Sequence, residues 1–350
     1  MLTQTASLTN SYSQAAANFG LINRTYPTDE DFDAAGEKTQ WQRFEAWVKH
    51  LNSECMATIN VQYKVLFLGR HGQGFHNAAE DLYGTPAWNV SLPLRALNIP
   101  ITSQVFLAAN APCQCYWAQQ DGNGTAVWAD SLPTPAGTRE VLKANAYFKD
   151  RYDSEGMPHF ESYYSSPLAR CAITANLTFG NLELPLAHPF IPTVKEGFRE
   201  GMSVQTCNRS SNKTFVAEMF PFYEFEDGFT EMDELWDASR SETDEGFSAR
   251  AKAVLDDVFV SDDATWISVT AHTGAVAHLL GALNHRAFPL ATGQIIPVLV
   301  KAEVVEPQPS PVFEAFEPFS PCDAPPVTSI AGQGCVCATA TATATVTIAL

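Results

Sequence analysis

The chain has 350 residues and a formal net charge of −18, from 39 acidic and 21 basic residues. Apolar residues make up 45% and charged residues 17%, which is typical of a globular chain and argues against long disordered regions. A surface this acidic repels nucleic acids and anionic membranes, and neither is therefore an expected partner. An anionic substrate would need a local cluster of cations in order to bind.

Strands and helices alternate along the middle of the chain. The predicted elements are, in chain order, a strand over 63–69, a helix over 137–152, a strand over 160–165, a helix from Ser166 to Gly180, a helix over 243–259, a strand over 266–270, a helix ending at about 284 and a strand over 295–301. Ser166 and Pro167 have the residue types of a helix cap and a first helical position. This alternation predicts a three-layer α/β/α sandwich with a mostly parallel central sheet.

Two long segments, about 92–135 and 202–239, show weak periodicity and many aromatic residues and prolines. We interpret them as insertions that roof the site, within one catalytic domain over 1–302 whose core is about 62–301. Residues 303–350 form a Pro-rich and then Ala/Thr-rich C-terminal tail. We expect the tail to be peripheral, although its alternating pattern would also suit an edge strand.

No apolar run in the first thirty residues resembles a secretory signal, and none elsewhere reaches the roughly 18 residues of a membrane helix. The eight cysteines lack the spacing of a disulfide framework, so we expect a cytoplasmic protein. The pairs Cys113/Cys115 and Cys335/Cys337 have a one-residue gap and no matching histidine or cysteine group nearby. We interpret them as ordinary thiols, with metal binding as the alternative.

Polar side chains follow three of the predicted strands. Arg70 and His71 come directly after the first strand, Arg170 lies in the first turn of the helix after the second, and His272 follows the strand over 266–270. Ligands of open α/β sheets bind at the carboxyl ends of strands, so these four side chains are expected to converge. Alone, each histidine is better interpreted as a structural residue and Arg170 as a surface ion-pair residue. Together they form the cation cluster that an anionic substrate requires.

Three motifs resemble the histidine phosphatase superfamily, in its phosphoglycerate-mutase-like branch. Residues 68–74, Leu-Gly-Arg-His-Gly-Gln-Gly, are similar to its Arg-His-Gly signature, and Asn77 follows as in the family. Residues 166–171, Ser-Pro-Leu-Ala-Arg-Cys, resemble its Ser-Pro-Leu-x-Arg turn, and residues 271–274, Ala-His-Thr-Gly, resemble its second-histidine motif. The resemblance covers roughly 64–301, and the combined motifs are specific.

The likeness is strongest to fungal phosphoglycerate-mutase-like proteins. It includes the run His-Gly-Gln-Gly-x-His-Asn from His71, an Arg-Glu and then a Thr-Cys segment, and Asp-Glu-Leu-Trp over 233–236. Where those relatives tend to show Asp-Lys-Arg, this chain has Asn208-Arg209-Ser210, and Thr273 replaces the usual serine of the second-histidine motif. These departures spare the phosphate-binding residues, and they leave open both the identity of the substrate and whether the activity is phosphate hydrolysis.

The resemblance implies that His71 is the nucleophile and forms a phosphohistidine. Arg70, Arg170 and His272 would hold the phosphate oxygens, with His272 also catalytic, and Asn77 is a further phosphate contact. Fixed cations take the place of a metal, so neither a metal nor another cofactor is expected.

The family takes the leaving-group proton from a carboxylic acid in a loop. The Arg199-Glu200 pair matches that position, which makes Glu200 the candidate proton donor and Glu196 the second choice. A solvated glutamate without a catalytic role is the alternative. His76 is equally suited to contacting substrate and to packing its loop, and His278 is expected to be structural.

The function expected first is a metal-independent phosphatase for a small-molecule phosphate monoester or diphosphate. Aromatic residues are abundant in the two insertions, which suits either a substrate with an apolar prenyl or polyketide-derived portion or, as we favour, internal packing. A mutase is less favoured, since nothing specific to one is present. A repurposed isomerase, lyase or cyclase of secondary metabolism would use the same groups for acid–base chemistry. A non-catalytic binding module is disfavoured because all four cationic-site residues are retained.

Overall fold

The computed structural model describes residues 9–16, 19–20, 22–55, 60–83, 88, 116–305, 313–318, 329–330 and 334–335. The strands are β1 (Thr9–Ala16), β2 (Val61–Arg70), β3 (Ser162–Ser165), β4 (Thr193–Val194), β5 (Glu224–Phe225), β6 (Arg240–Glu242), β7 (Trp266–Ala271), β8 (Ile295–Val305), β9 (Phe316–Pro318), β10 (Ser329–Ile330) and β11 (Gly334–Cys335). The α-helices are α1 (Asp29–Phe32), α2 (Gln40–Cys55), α3 (Phe75–Tyr83), α4 (Pro135–Glu155), α5 (Ala169–Phe179), α6 (Lys213–Met219), α7 (Asp244–Ser261) and α8 (Thr273–Ala282). Short 3₁₀ turns lie at Tyr116–Gln119, Glu196–Phe198 and Thr206–Asn208.

Seven strands form the central sheet, in the order β1-β8-β2-β7-β3-β4-β5. Strands β2, β7, β3, β4 and β5 run parallel, and β8 runs antiparallel to both β2 and β1. The strand β2 lies inside the sheet, which is why its sequence is almost continuously apolar. The predicted α/β fold with a mostly parallel sheet is confirmed.

Helices cover both faces of the sheet, as the two faces of β2 require. Val65 and Phe67 pack with residues of α2, α4 and α5 on one side, including Phe148. Leu66 and Leu68 pack with α7 and α8 on the other side. Because successive side chains of a strand point to opposite faces, one apolar run supplies both layers of the core.

Most helix boundaries follow local sequence signals. The hydroxyl of Thr134 accepts a hydrogen bond from the Gly137 backbone N–H at 3.0 Å at the start of α4, which ends at the left-handed Gly156. The predicted Ser166 cap is wrong: α5 begins at Ala169, and its N-cap residue is Leu168, without a side-chain bond.

Segments outside the predicted core complete the fold. The strand β1 pairs with β8 as far as Val305, and α2 packs on β2. Part of the tail, residues 313–318, is not isolated: β9 pairs with β6, and the Thr243 backbone N–H donates to the Ala315 carbonyl at 2.9 Å.

The predicted insertion over 92–135 is described from 116 onward, and Cys113, Cys115 and Cys337 lie outside the described residues. None of the described helices combines the length and apolar character needed to cross a bilayer.

Candidate active site

Two histidines meet because two strands are paired in parallel register. Arg70 at the end of β2 is opposite Ala271 at the end of β7, so His71 and His272 each follow one residue later. The His71 backbone N–H donates to the Ala271 carbonyl at 3.0 Å, and the two imidazole centroids lie 5.1 Å apart. The structure therefore brings these two predicted site residues together.

The imidazole of His71 has a defined tautomer. Its Nδ1 lies 2.8 Å from the Gly72 carbonyl oxygen, which can only accept, so Nδ1 carries the proton and Nε2 keeps its lone pair. The side chain is buried, and burial followed by the Arg170 charge lowers the pKa of His71 well below its ordinary value. His71 is thus a neutral imidazole whose Nε2 is unprotonated.

Close backbone packing holds this loop in place. A Cβ atom on Gly72 would lie 2.5 Å from the Gly137 carbonyl oxygen, and one on Gly137 would lie 2.1 Å from the Gln73 carbonyl oxygen. Both approaches are possible only for glycine. The start of α4 therefore presses directly on the loop that carries His71.

Arg170 is the second residue of α5 and is buried. Its guanidinium donates to the Cys207 carbonyl at 2.6 Å and lies 3.5 Å from the Asn208 side-chain oxygen, whereas its Nε has no hydrogen-bond partner among the described residues. Arg70 is half-buried and donates to the Leu290 carbonyl at 2.8 Å. Both guanidinium groups line one cavity with His71.

His272 lies behind His71 and does not line the cavity. It is fully buried, and its Nε2 is 2.7 Å from the Ser166 hydroxyl and 3.3 Å from the Cys171 sulfur. Burial followed by the Arg170 charge lowers its pKa well below the ordinary value. The hydroxyl of Ser166, which the sequence suggested as a helix cap, is therefore a partner of His272.

Glu200 and Glu196 have different surroundings. Glu200 lines the cavity, and its carboxylate accepts backbone N–H groups from Gly274 at 3.2 Å and Gly201 at 3.0 Å. Glu196 does not line the cavity and pairs with Arg199 at 2.9 Å, although burial raises the pKa of its carboxyl. The structure thus places the first-choice glutamate in the cavity and the second choice outside it.

Arg199, which the sequence showed only as the neighbour of Glu200, anchors this loop. Its fully buried guanidinium pairs with Asp233 at 2.5 Å and donates to the Asn208 carbonyl at 2.9 Å. Asp233 begins the Asp-Glu-Leu-Trp stretch, whose likeness to relatives gave no indication of a contact with Arg199. The Asn208 side chain also donates to the Gly201 carbonyl at 2.9 Å. Asn208, which lies next to the Arg170 guanidinium, therefore connects that arginine to the loop that carries Glu200.

Asn77 and His76 lie in the first turn of α3 and line the cavity. The side-chain oxygen of Asn77 accepts the Gly74 backbone N–H at 3.0 Å, half of a capping box. His76 is buried, with Nδ1 2.5 Å from the Ser131 hydroxyl and its ring 5.4 Å from that of His71. His76 therefore belongs to the site, whereas His278 stacks on Phe247 outside it.

The cavity has a volume of about 510 Å³. Among the described aromatic residues in and beside the two insertions, Trp88 is the one that lines the cavity. Others pack against neighbouring aromatics: Trp128 lies in a cluster with Trp88, and Phe220 packs with Tyr223. The described aromatics thus mainly pack the insertions.

No group of three or more His, Cys, Asp or Glu residues in the described parts of the chain is arranged to hold a metal ion.

No protein-family model matches the chain. It is 42% identical over 292 residues to "Probable phosphoglycerate mutase" of Arthroderma benhamiae, covering 83% of this chain and 79% of the relative. It is 32% identical to "Phosphomutase-like protein 3" of Candida albicans, covering 92% of this chain and 89% of that protein. A crystal structure of phosphoglycerate mutase from Thermus thermophilus aligns at 15% identity with a TM-score of 0.31, covering 67% of this chain and 91% of that one. Both sequence relatives align with most of the chain.

Proposed function

Because the chain belongs to the phosphoglycerate-mutase-like family of the histidine phosphatase superfamily, we propose that it is a phosphatase. It hydrolyses a small-molecule phosphate monoester or diphosphate without a metal, through a phosphohistidine on His71. The observation that carries the proposal is the tautomer of His71, whose Nδ1 is fixed by the Gly72 carbonyl. This leaves the Nε2 lone pair to react in a cavity that Arg70 and Arg170 also line.

In the first step, the Nε2 lone pair of His71 forms a bond to phosphorus as the bond to the leaving oxygen breaks. Glu200, in its protonated form, gives its proton to that oxygen, and the alcohol departs. His272 lies behind His71 and supports it without reaching the phosphate. Arg70 and Arg170 hold the phosphate oxygens, with the Asn77 amide as a further contact. Their fixed charges stabilise the transition state without reorganisation, which supplies most of the catalysis in phosphoryl transfer.

In the second step, water attacks phosphorus on the phosphohistidine. The Glu200 carboxylate takes a proton from that water, the bond from phosphorus to Nε2 breaks, and inorganic phosphate leaves. His71 returns to its neutral state, which its burial favours. The low pKa of His71 keeps the lone pair free at neutral pH, as a nucleophile requires.

Release of phosphate from p-nitrophenyl phosphate, with EDTA present, tests this proposal. His71→Ala should reduce kcat/KM by more than about 10³-fold, since it removes the nucleophile. Replacement of the exposed His50, which lies on α2 outside the cavity, is the matched control and should leave activity unchanged. Quenching a reaction with ³²P-labelled substrate in alkaline detergent should trap an alkali-stable, acid-labile phosphoprotein in the unmodified chain and not in His71→Ala.

An inactive wild type that still binds inorganic phosphate would refute hydrolysis and favour the repurposed acid–base enzyme. Transfer of the label to a second phosphoglycerate position, instead of release as inorganic phosphate, would show a mutase. Activity that persists in His71→Ala would refute the role of the phosphohistidine.

A further inference from the structure

The strand pair β6–β9 forms the part of the cavity wall next to Glu200. The Glu242 backbone N–H donates to the Met202 carbonyl at 2.6 Å, and the Met202 backbone N–H donates to the Glu242 carboxylate at 3.1 Å. Across the pair, Ser241 is opposite Glu317, and all three of Ser241, Glu242 and Glu317 line the cavity. A segment from near the C-terminal end of the chain thus contributes a carboxylate to this wall.

The two glutamates of this wall differ in how their charge is compensated. Arg250 donates two hydrogen bonds to the Glu242 carboxylate, at 2.8 and 2.7 Å, so that pair is close to neutral. Glu317 is exposed and forms no ion pair with any described residue. Among the lining residues that the structure describes, the arginines are Arg70 and Arg170, and there is no lysine.

The direction of the substrate follows from the position of the proton donor. In the reaction proposed above, Arg70 and Arg170 bind the phosphoryl group, and Glu200 meets the leaving oxygen. The rest of the alcohol therefore extends past Glu200, towards Met202 and the β6–β9 wall. An anionic group there would face Glu317 without an adjacent lining cation, whereas an ammonium group could donate to its carboxylate.

We propose that the cavity selects a phosphomonoester whose alcohol portion carries an ammonium group, with Glu317 as the carboxylate that receives it. The inference rests on the phosphatase function proposed above and adds the substrate class. It also assigns a role to the segment over 313–318, which completes the cavity wall. A phosphorylated hydroxy acid, which carries a second anionic group, is disfavoured at this wall.

Three small phosphomonoesters test the inference: O-phosphoethanolamine with an ammonium group, glycerol 3-phosphate without a further charge, and 3-phosphoglycerate with a carboxylate. We expect kcat/KM to fall in that order, by about fivefold at each step, the size of a partly exposed charge pair. Glu317→Gln should remove the advantage of O-phosphoethanolamine over glycerol 3-phosphate. The matched control is Glu314→Gln, an exposed glutamate of the same segment that does not line the cavity, and it should keep the order.

A preference for 3-phosphoglycerate, or an unchanged ratio in Glu317→Gln, would overturn the inference while leaving the phosphatase intact if p-nitrophenyl phosphate is still hydrolysed. If no ester is hydrolysed, the proposed function fails, and calorimetric binding of the same three compounds still measures recognition. Equal affinities for the three compounds would then refute selection by Glu317, and the predicted order of affinities would support it.

Discussion

Lowering the pH should destabilise this protein through the histidines of the site. His71, His76 and His272 are all buried, and burial, followed by the Arg170 charge, lowers each pKa well below the ordinary value. In the unfolded chain each histidine takes up a proton near pH 6.5, whereas in the folded protein it stays neutral. Below about pH 6.5 the unfolded state therefore binds more protons, and the free energy of unfolding falls with falling pH.

The size of the effect follows from the number of histidines. Between pH 7.5 and 5.5, one histidine that protonates only in the unfolded state lowers the free energy of unfolding by about 1.4 kcal/mol, and the three together by about 4 kcal/mol. Two carboxyls act in the opposite direction, because burial raises the folded-state pKa of Asp130 and Glu196. A comparison between a histidine variant and the unmodified protein therefore isolates the histidine contribution better than the total change in the free energy of unfolding does.

The assay is urea unfolding at a series of pH values from 7.5 to 5.5. His76→Gln keeps a polar side chain near Ser131 and removes one titrating group, so its loss of stability over this range should be smaller by about 1.4 kcal/mol. His50→Gln is the control, because His50 is exposed, and its loss should equal that of the unmodified protein. If the His76→Gln and unmodified proteins lose stability in parallel, the buried histidines do not set the acid sensitivity, and the reasoning is refuted.

Two further substitutions test contacts that support the site. Asp233→Asn removes one of the two carboxylates that pair with the fully buried Arg199 and, because Glu196 remains, should lower the free energy of unfolding by about 1.5–3 kcal/mol. A loss below about 1 kcal/mol in urea unfolding at pH 7.5 would show that the remaining contacts suffice. Ser166→Ala takes the hydroxyl from the Nε2 of His272 and should cost about 1–3 kcal/mol in the same assay, with a lower kcat on p-nitrophenyl phosphate. Unchanged stability and unchanged kcat would contradict the role of Ser166.

The elements with strong local signals were predictable. The apolar run over 63–69 predicted the end of β2 within one residue, and the strand over 266–270 matches β7 within one residue. Both are interior strands, whose sequences are apolar on both faces because both faces are buried. By contrast, β1 has the sequence Thr-Asn-Ser-Tyr-Ser-Gln-Ala-Ala, and its position at the sheet edge depends on pairing with β8, which no local pattern shows.

Residues with two competing uses could not be assigned from the sequence. Ser166 has the type and position of a helix cap, but its hydroxyl contacts His272, which is 106 residues away in the chain. Glu196 and Glu200 lie in one loop with similar charge patterns. In the structure, Glu196 pairs with Arg199 outside the cavity, whereas Glu200 accepts a backbone N–H at the N-terminus of α8. Which glutamate is the candidate proton donor therefore depends on contacts made in the folded chain.

The sequence by itself determined the α/β alternation and the motifs around His71, Arg170 and His272. The reason is that a buried strand and the polar residues at its end are adjacent in the sequence and can be recognised from it alone. The tertiary structure decided that His71 and His272 are neighbours, that His272 lies behind the cavity and that Glu317 lies on its wall. The physical reason is that strand register and long-range packing bring distant side chains together, and neither is encoded in any one stretch of the chain.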